Sequence, residues 1–223
     1  MIYVGIDFSL NSPAFCVFDG ENFKWGSLTR SERTFESLKK SKDKPYSVLA
    51  DENWIDLVVL AKKELPSEYS ERERIKIDYF QELVESFWQK VEGKIPEKSE
   101  VVIAMEGLSF ASNGNALIDI SMATALIRKK IVDKFGSSQF FVFSPTSIKK
   151  YAKKGNAKKD ELYHAILEKE LPGTNFCSLT NILRSNVDNW ITKSGTVNKP
   201  LDDVIDATWI CLYLVENAGE TEV

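Results

Sequence analysis

The pattern of hydrophobic and polar positions predicts that the chain begins with three short strands. An apolar run over 2–6 is typical of a buried strand and ends at the carboxylate of Asp7. After a turn-rich stretch, a second apolar run over 14–18 predicts a hairpin with the first. The turn signal Asp19-Gly20 and residues 23–28 add a third antiparallel strand to the prediction.

Helices and strands alternate in the rest of the pattern. Apolar residues at steps of three and four predict amphipathic helices, and short continuous apolar runs predict buried strands. The predicted elements are a helix over 70–92, a strand over 101–105 that leads into Glu106, a helix over 116–135, a buried strand over 140–143, a helix beginning near 145, a helix over 158–171 and a last helix over 200–216. The polar segment 172–199 has no clear periodicity, so its structure stays open.

These elements predict an α/β fold, a mixed β-sheet of three antiparallel strands followed by parallel strands, with helices on both faces. A length of 223 residues and a hydrophobic content of 43% are enough to bury one substantial core. The net charge of -4 excludes attraction of the whole molecule to nucleic acid. It does not exclude a local basic patch.

Composition excludes several other classes of protein. No apolar run approaches the roughly 18 residues needed to span a bilayer, and the N-terminus carries no export signal, so a cytoplasmic location is expected. Cys16, Cys177 and Cys211 stand in apolar company without metal-ligand spacing and are expected to be buried thiols. His164 is the only histidine, which argues against zinc and against Ser-His-Asp catalysis unless His164 serves.

Two carboxylates end buried strands, and more lie on the last helix. Asp7 on so apolar a strand costs several kcal/mol, roughly, unless donors or a cation satisfy it, although it could also cap the following turn. Acids in the first turn of a helix are stabilised by its dipole, which explains Asp202 and Asp203 without any function. Asp206 lies beyond that turn, and the three-residue step puts Asp203 and Asp206 on one helix face.

Four inward-facing carboxylates are difficult to explain as a purely structural set, because like charges close together repel. Divalent cations remove the conflict. Four carboxylates can hold two Mg²⁺ or Mn²⁺ ions about 3.5–4 Å apart, an arrangement used in phosphodiester hydrolysis. The sequence therefore predicts a site for two such cations, built by Asp7, Glu106, Asp203 and Asp206.

In their order and separation, three motifs resemble the RuvC family of Holliday junction resolvases, which has the RNase H-like fold. They are Gly5-Ile6-Asp7 with Ser9, Met105-Glu106 at the end of a strand, and Asp203-x-x-Asp206-Ala207 on the last helix. The stretch from Ser9 to Ala14 is most similar to RuvC-type resolvases of large bacteriophages. The resemblance implies a single RNase H-like nuclease domain over 1–223, with insertions near 29–68 and 172–199.

The resemblance further implies an endodeoxyribonuclease that cleaves four-way DNA junctions as a homodimer, in the host cytoplasm if a phage encodes it. Asp7 would bridge two metal ions, and Glu106, Asp203 and Asp206 would complete the catalytic and metal-binding set. Asp202 would replace Asp203 if the helix began in a different register. A metal-activated water would attack the DNA phosphate in line and leave a 5′-phosphate and a 3′-hydroxyl.

A lysine-rich stretch and one loop are the candidate DNA contacts. Six lysines and no acid lie within 149–159 of an otherwise acidic chain, which favours a phosphate track over an ordinary solvated face. The resemblance places a basic residue at the helix entry, where Lys159 stands. It also places an aromatic wedge near Phe110, a residue that could equally belong to the core. The predicted DNA-binding residues are Lys149, Lys150, Lys153, Lys154, Lys158, Lys159, Phe110 and Asn113.

Three other functions remain open. Gly-Ile-Asp at the end of a first strand also begins actin-like ATPases and sugar kinases, but those proteins duplicate the domain and carry a second phosphate-binding loop. A nuclease of the same fold that acts on flaps, other branched DNA or RNA is not separated by sequence, because structure-selective enzymes recognise shape and backbone. The complete acidic set argues against a non-catalytic DNA-binding relative.

Overall fold

The computed structural model describes residues 1–28, 65–108, 114–185, 190–191 and 196–218. Its strands are β1 (Ile2–Asp7), β2 (Ala14–Phe18), β3 (Phe23–Ser27), β4 (Val101–Glu106) and β5 (Phe140–Phe143). Its principal helices are α1 (Tyr69–Glu92), α2 (Asn115–Phe135), α3 (Pro145–Ala152), α4 (Lys159–Glu168), α5 (Phe176–Ser185) and α6 (Leu201–Asn217). None of the described helices is long and apolar enough to cross a membrane.

One five-stranded sheet organises these elements, in the order β3-β2-β1-β4-β5. β1, β2 and β3 pair antiparallel, whereas β4 pairs parallel with both β1 and β5. The predicted RNase H-like mixed sheet is therefore confirmed. Because β1 and β4 are parallel neighbours with Ile6 opposite Met105, their carboxyl ends meet at one edge. Asp7 and Glu106 thus lie at adjacent strand ends.

One face of β1 packs against α1 and α2. Ile2, Val4 and Ile6 are at most 5% exposed and belong to one apolar cluster with side chains from both helices, Phe87 and Ile127 among them. The strict alternation of β1 sends these three side chains to the same side. This face therefore forms an entirely apolar core layer.

The opposite face of β1 packs against α6 at very close range. A Cβ added to Gly5 would lie 2.4 Å from the carbonyl oxygen of Ala207 and 2.4 Å from the amide nitrogen of Cys211. Any larger residue would push α6 away from the sheet, so glycine is what lets the two backbones approach. The contact holds α6 directly over Asp7, the next residue of β1 on this face.

Two features differ from the sequence expectations, and one segment whose structure they left open contains a helix. The segment 172–199 contains α5, whose Phe176, Leu179 and Leu183 are buried at spacings of three and four. β5 is not the buried strand that its apolar run predicts, since it is an edge strand and Val142 is 47% exposed. Cys177 is an exposed free thiol, whereas Cys16 and Cys211 are buried and reduced as expected. The predicted insertion over 29–68 lies almost wholly outside the described residues.

Candidate active site

Asp7 is the centre of an acidic cluster at the carboxyl edge of the sheet. Burial raises the pKa of its carboxyl group well above the ordinary value, and the negative charges of Asp206, Asp203 and Glu106 raise it further. The ammonium group of Lys159 opposes this shift. Segments almost 200 residues apart in sequence therefore bring four carboxylates within electrostatic reach of one another.

Glu106 enters the cluster from the end of β4. Burial, and after it the charge of Asp206, raises the pKa of Glu106 to about 7. Lys149, in the last turn of α3, and Lys159 act in the opposite direction. A carboxyl group with this pKa is half protonated near neutral pH until a cation stabilises its charged form.

The first two turns of α6 supply the remaining acids. Asp202 and Asp203 are 8% and 4% exposed, and the side chain of Asp206 is 18% exposed. Burial raises the pKa values of Asp203 and Asp206, and the neighbouring Asp202 carboxylate raises both further. The helix dipole explains acids in a first turn but does not require them to be buried. Their burial results from the packing of α6 on β1.

Lys159 is the positive charge at the middle of the cluster. The capping interaction in which Glu161 Oε2 accepts from the Lys158 amide at 2.8 Å starts α4 here. The Lys159 ammonium pairs with Asp206 and lies 3.7 Å from Asp202 Oδ2. Burial opposes its charge, yet the surrounding carboxylates hold the pKa of Lys159 above its ordinary value.

A second lysine closes the cluster on the side of Asp203. Lys199 Nζ lies 2.8 Å from Asp203 Oδ1 and 2.7 Å from Oδ2, and Ser12 Oγ donates to Oδ2 at 2.5 Å. Lys199 also donates to Ser12 Oγ at 3.1 Å. Ser12 comes from the turn between β1 and β2. The contacts join three segments at a single carboxylate.

The donor set fits a hard divalent cation better than any other cofactor. The four candidate ligands offer carboxylate oxygens, which Mg²⁺ and Mn²⁺ prefer, and Asp202 Oδ1 is a buried oxygen with no hydrogen-bond partner among the described residues. With the side chains in these positions, no three His, Cys, Asp or Glu residues of the described segments are grouped closely enough to hold a metal ion. Instead, the ammonium groups of Lys159 and Lys199 form ion pairs with the acids of α6.

A cavity of about 160 Å³ adjoins Asp7 and Glu106 on the side of α2. Thr124 lines it at 3% exposure, and its hydroxyl oxygen has no hydrogen-bond partner among the described residues. The chemistry of the cavity therefore combines two carboxylates with one unsatisfied hydroxyl. Its volume is large enough to hold solvent molecules beside Asp7 and Glu106.

The predicted DNA-binding residues lie in different places. Lys150, Lys153 and Lys158 are exposed, and Lys154 is exposed and paired with Glu161 at 2.5 Å. Lys149 and Lys159 point their charge toward the acids. Phe110 and Asn113 lie outside the described residues. The lysine stretch therefore has two parts, one turned to solvent and one turned into the acidic cluster.

Sequence reasoning missed three polar residues of this region, Ser12, Thr124 and Lys199. Thr124 carries no recognisable signal, since threonine within an apolar helix pattern is common. Lys199 lies four residues before Asp203, which is the spacing of neighbours on a helix face. That spacing is the available signal, but Lys199 stands in a segment without predicted structure.

Comparison with known proteins gives a similar architecture at low identity. No protein-family model matches the chain. No curated protein sequence matches it significantly. The structure of Thermus thermophilus RuvC has 15% sequence identity and a TM-score of 0.43, with 99% of this chain and 96% of that chain covered. The T. thermophilus RuvC structure in complex with a Holliday junction substrate has 12% identity and a TM-score of 0.44 over the same shares. These TM-scores are low, so the sheet order and the acidic cluster have to carry any functional conclusion.

Proposed function

We propose that the protein is a metal-dependent, structure-selective endodeoxyribonuclease that cleaves four-way DNA junctions. The observation that carries the proposal is the convergence of Asp7, Glu106, Asp203 and Asp206 in a partly buried cluster, where burial raises all four pKa values and the charge of a neighbouring carboxylate raises each of them further. Mutual repulsion of this kind has to be offset by cations. Buried carboxylate clusters with perturbed pKa values are typical of catalytic sites.

Asp7, Glu106, Asp203 and Asp206 would hold the divalent cations, Mg²⁺ or Mn²⁺. Asp203 is favoured over Asp202 as the ligand. The charge of Asp203 raises the pKa of Asp7, whereas the charge of Asp202 raises the pKa values of Asp203 and Asp206. Bound cations would supply a water of lowered pKa and would stabilise negative charge on the phosphate.

The other residues have roles that follow from their charge. Lys159 lowers the pKa values of Asp206 and Asp7 and so opposes the effect of burial on both carboxyl groups. Lys149 lowers the pKa of Glu106 in the same way. The exposed lysines of 149–159 would contact the DNA backbone beside the acids, where phosphates need a positive surface on an otherwise acidic protein.

The choice of a four-way junction, and of a homodimer that cuts two strands, rests on the RuvC-like motifs at Asp7, Glu106 and Asp203. The direct test is cleavage of a synthetic four-way junction beside duplex, flap and RNA–DNA hybrid of matched sequence, with Mg²⁺ and with Mn²⁺. We expect paired, symmetrical nicks on the junction. Equal cutting of the flap or the hybrid would support a nuclease but contradict the preference for four-way junctions. ATP hydrolysis without DNA would favour an actin-like function.

The phosphate track has its own test in the salt dependence of binding. Replacing Lys150 and Lys158 together by Met should weaken junction binding and flatten its salt dependence, by about 0.9 log units per log of salt for each phosphate that is no longer neutralised. Lys129 and Lys134 of α2 lie outside the lysine stretch, so their double replacement is the matched control. An unchanged slope would make the lysine stretch an ordinary solvated surface.

A further inference from the structure

Lys199 is held by the candidate site although it does not belong to any predicted motif. Its ammonium group contacts both oxygens of Asp203, at 2.8 and 2.7 Å, and lies 3.8 Å from Asp202 Oδ2. Asp203 is 4% exposed, whereas the side chain of Lys199 is 53% exposed. A buried carboxylate is therefore neutralised by a cation that reaches it from solvent.

The position of Lys199 relative to the helix dipole is unfavourable for a positive charge. α6 begins at Leu201, so Lys199 stands at the positive end of the helix dipole, where cations are destabilised. The contacts with Asp203, Asp202 and Ser12 are what hold the charge of Lys199 at this place.

A divalent cation at Asp203 would need the oxygens that Lys199 now occupies. Lys199 and Ser12 already take about three of the roughly four lone pairs of this carboxylate, and the charge of a bound metal ion would repel the ammonium group. Lys199 is half exposed and has a flexible stem, so it can swing into solvent without disturbing the core. Ser12, buried at 4% exposure, stays to hold the carboxylate in orientation.

We propose that Lys199 is an internal counter-cation of Asp203 that divalent metal must displace, so that residue 199 sets the metal concentration the protein requires. The proposal rests on the proposed function insofar as Asp203 is a metal ligand. In this role Lys199 weakens the binding of metal at Asp203. Removing its charge should improve metal binding.

The first experiment measures Mn²⁺ binding by isothermal titration calorimetry without DNA. Lys199→Met keeps most of the stem and removes the charge, and we expect its Kd for Mn²⁺ to fall about tenfold relative to the wild type. Its melting temperature without metal should fall, and the rise on adding Mn²⁺ should be larger than in the wild type. Lys199→Arg, which keeps the charge, should bind Mn²⁺ no more tightly than the wild type.

Lys129→Met is the matched control for these measurements. Lys129 also pairs with an aspartate four residues later, Asp133, but on the surface, with side chains 72% and 61% exposed. This variant removes the same charge at the same four-residue spacing along the chain, so its Kd for Mn²⁺ should equal that of the wild type. An equal gain in both variants would mean that net charge alone is responsible and would overturn the role of Lys199.

A second experiment needs no variant and so does not depend on folding of Lys199→Met. Acylation of lysine amines in the wild-type protein, read by mass spectrometry, should increase severalfold at Lys199 when Mn²⁺ is added and stay constant at Lys129. If adding Mn²⁺ leaves the acylation of Lys199 unchanged, the proposal that metal displaces Lys199 from Asp203 is wrong.

The two proposals fail in different ways. If the wild type binds Mn²⁺ and Asp203→Asn abolishes binding, while Lys199→Met binds with an unchanged or higher Kd, only the role of Lys199 is wrong. If neither the wild type nor Lys199→Met binds Mn²⁺ or Mg²⁺, the metal-dependent nuclease is wrong as well.

Discussion

The two faces of β1 differ in charge: one is apolar throughout, and the other ends in a cluster of carboxylates. On one face Ile2, Val4 and Ile6 pack into an apolar layer with α1 and α2. On the other face Gly5 admits α6 at van der Waals distance, and the strand ends in Asp7 among three further carboxylates. Both faces are shielded from water and pack against apolar clusters, but only the second face ends in charges that repel one another.

The difference shows how a small domain can hold repelling charges. Transfer of apolar area from water stabilises both faces by about 25 cal/mol per Å², and this gain offsets the cost of the buried charges at the end of the second face. We expect the charged face to control activity and the apolar face to control stability. Substitutions on the two faces should therefore move different observables.

The largest effect is expected from Asp7→Asn on the charged face. It should reduce junction cleavage by at least about a thousandfold, because it removes the carboxylate that all the others surround. Junction binding should be kept or improved, and the melting temperature without metal should rise, since a repelling buried charge is gone. Single-turnover cleavage, a binding titration and calorimetric melting measure the three quantities.

Asp133→Asn, on the exposed side of α2, is the control and should leave all three unchanged. Normal cleavage by Asp7→Asn with Mg²⁺ would contradict the central position of Asp7. A fall in its melting temperature would contradict the repulsion.

The next effect is expected from Ile103→Ala on the apolar face. Ile103 is fully buried in β4, and truncation should lower the free energy of unfolding by about 2–5 kcal/mol. Cleavage per folded molecule should stay near that of the wild type, because the acids are untouched. Urea unfolding and active-site-normalised rates separate the two quantities.

Ile118→Ala is the matched control, since Ile118 is 57% exposed and should change the free energy of unfolding by less than about 0.5 kcal/mol. A large loss of normalised activity in Ile103→Ala would show that the two faces are not independent.

A smaller effect on stability, combined with a loss of activity, is expected from Gly5→Ala. The new methyl group would meet the backbone of α6 and cost about 1–3 kcal/mol of unfolding free energy. Displacement of α6 would also move Asp203 and Asp206 away from Asp7, so cleavage should fall even where the protein is folded. Gly5 is thus the point where the two faces are coupled.

Gly93→Ala is the control for this substitution, because its φ is -62° and the nearest atom to an added Cβ is 3.4 Å away. We expect it to fold and cleave normally. Normal cleavage by Gly5→Ala would mean that the acids do not need the observed approach of α6.

The smallest effect is a pH dependence of stability from Glu106. Its pKa is raised from 4.5 to about 7, so the folded state holds a proton more tightly than the unfolded state. The stability from this group is complete below pH 4.5 and is lost as pH rises to about 7. With a chelator present, the free energy of unfolding of the wild type should fall between pH 4.5 and about 7. The fall should be about 1–2 kcal/mol larger than that of Glu106→Gln over the same range.

Urea unfolding of both proteins at a series of pH values measures the difference. Parallel curves would contradict the raised pKa. With saturating Mg²⁺ the difference should become smaller, because a bound cation stabilises the charged form of Glu106.

Local patterns in the sequence predict the strands and the acids at their ends. Alternation and continuous apolar runs define β1 and β4, and parallel pairing then brings Asp7 and Glu106 together. The three-residue step on α6 likewise places Asp203 and Asp206 on one face. These are short-range regularities, and each follows from the geometry of one element.

The remaining features depend on contacts between distant segments, which no local pattern encodes. Ser12 reaches Asp203 across 191 positions, and Lys159 reaches Asp206 across 47. α5 escapes prediction for a different reason. Its apolar residues have helical spacing, but the polar segments around it weaken the periodicity. The burial of Asp202 is also beyond prediction, because the helix dipole already explains an acid at that position.

The docking of α6 on β1 has a consequence for how the chain matures. β1 and β2 leave the ribosome early, but the carboxylates of α6 follow about 200 residues later, and long-range contacts of this kind form slowly. A nascent polypeptide therefore has no complete acidic centre until this helix has been synthesised and has closed onto the sheet. The order of translation itself therefore delays assembly of the acidic cluster until the last helix is present.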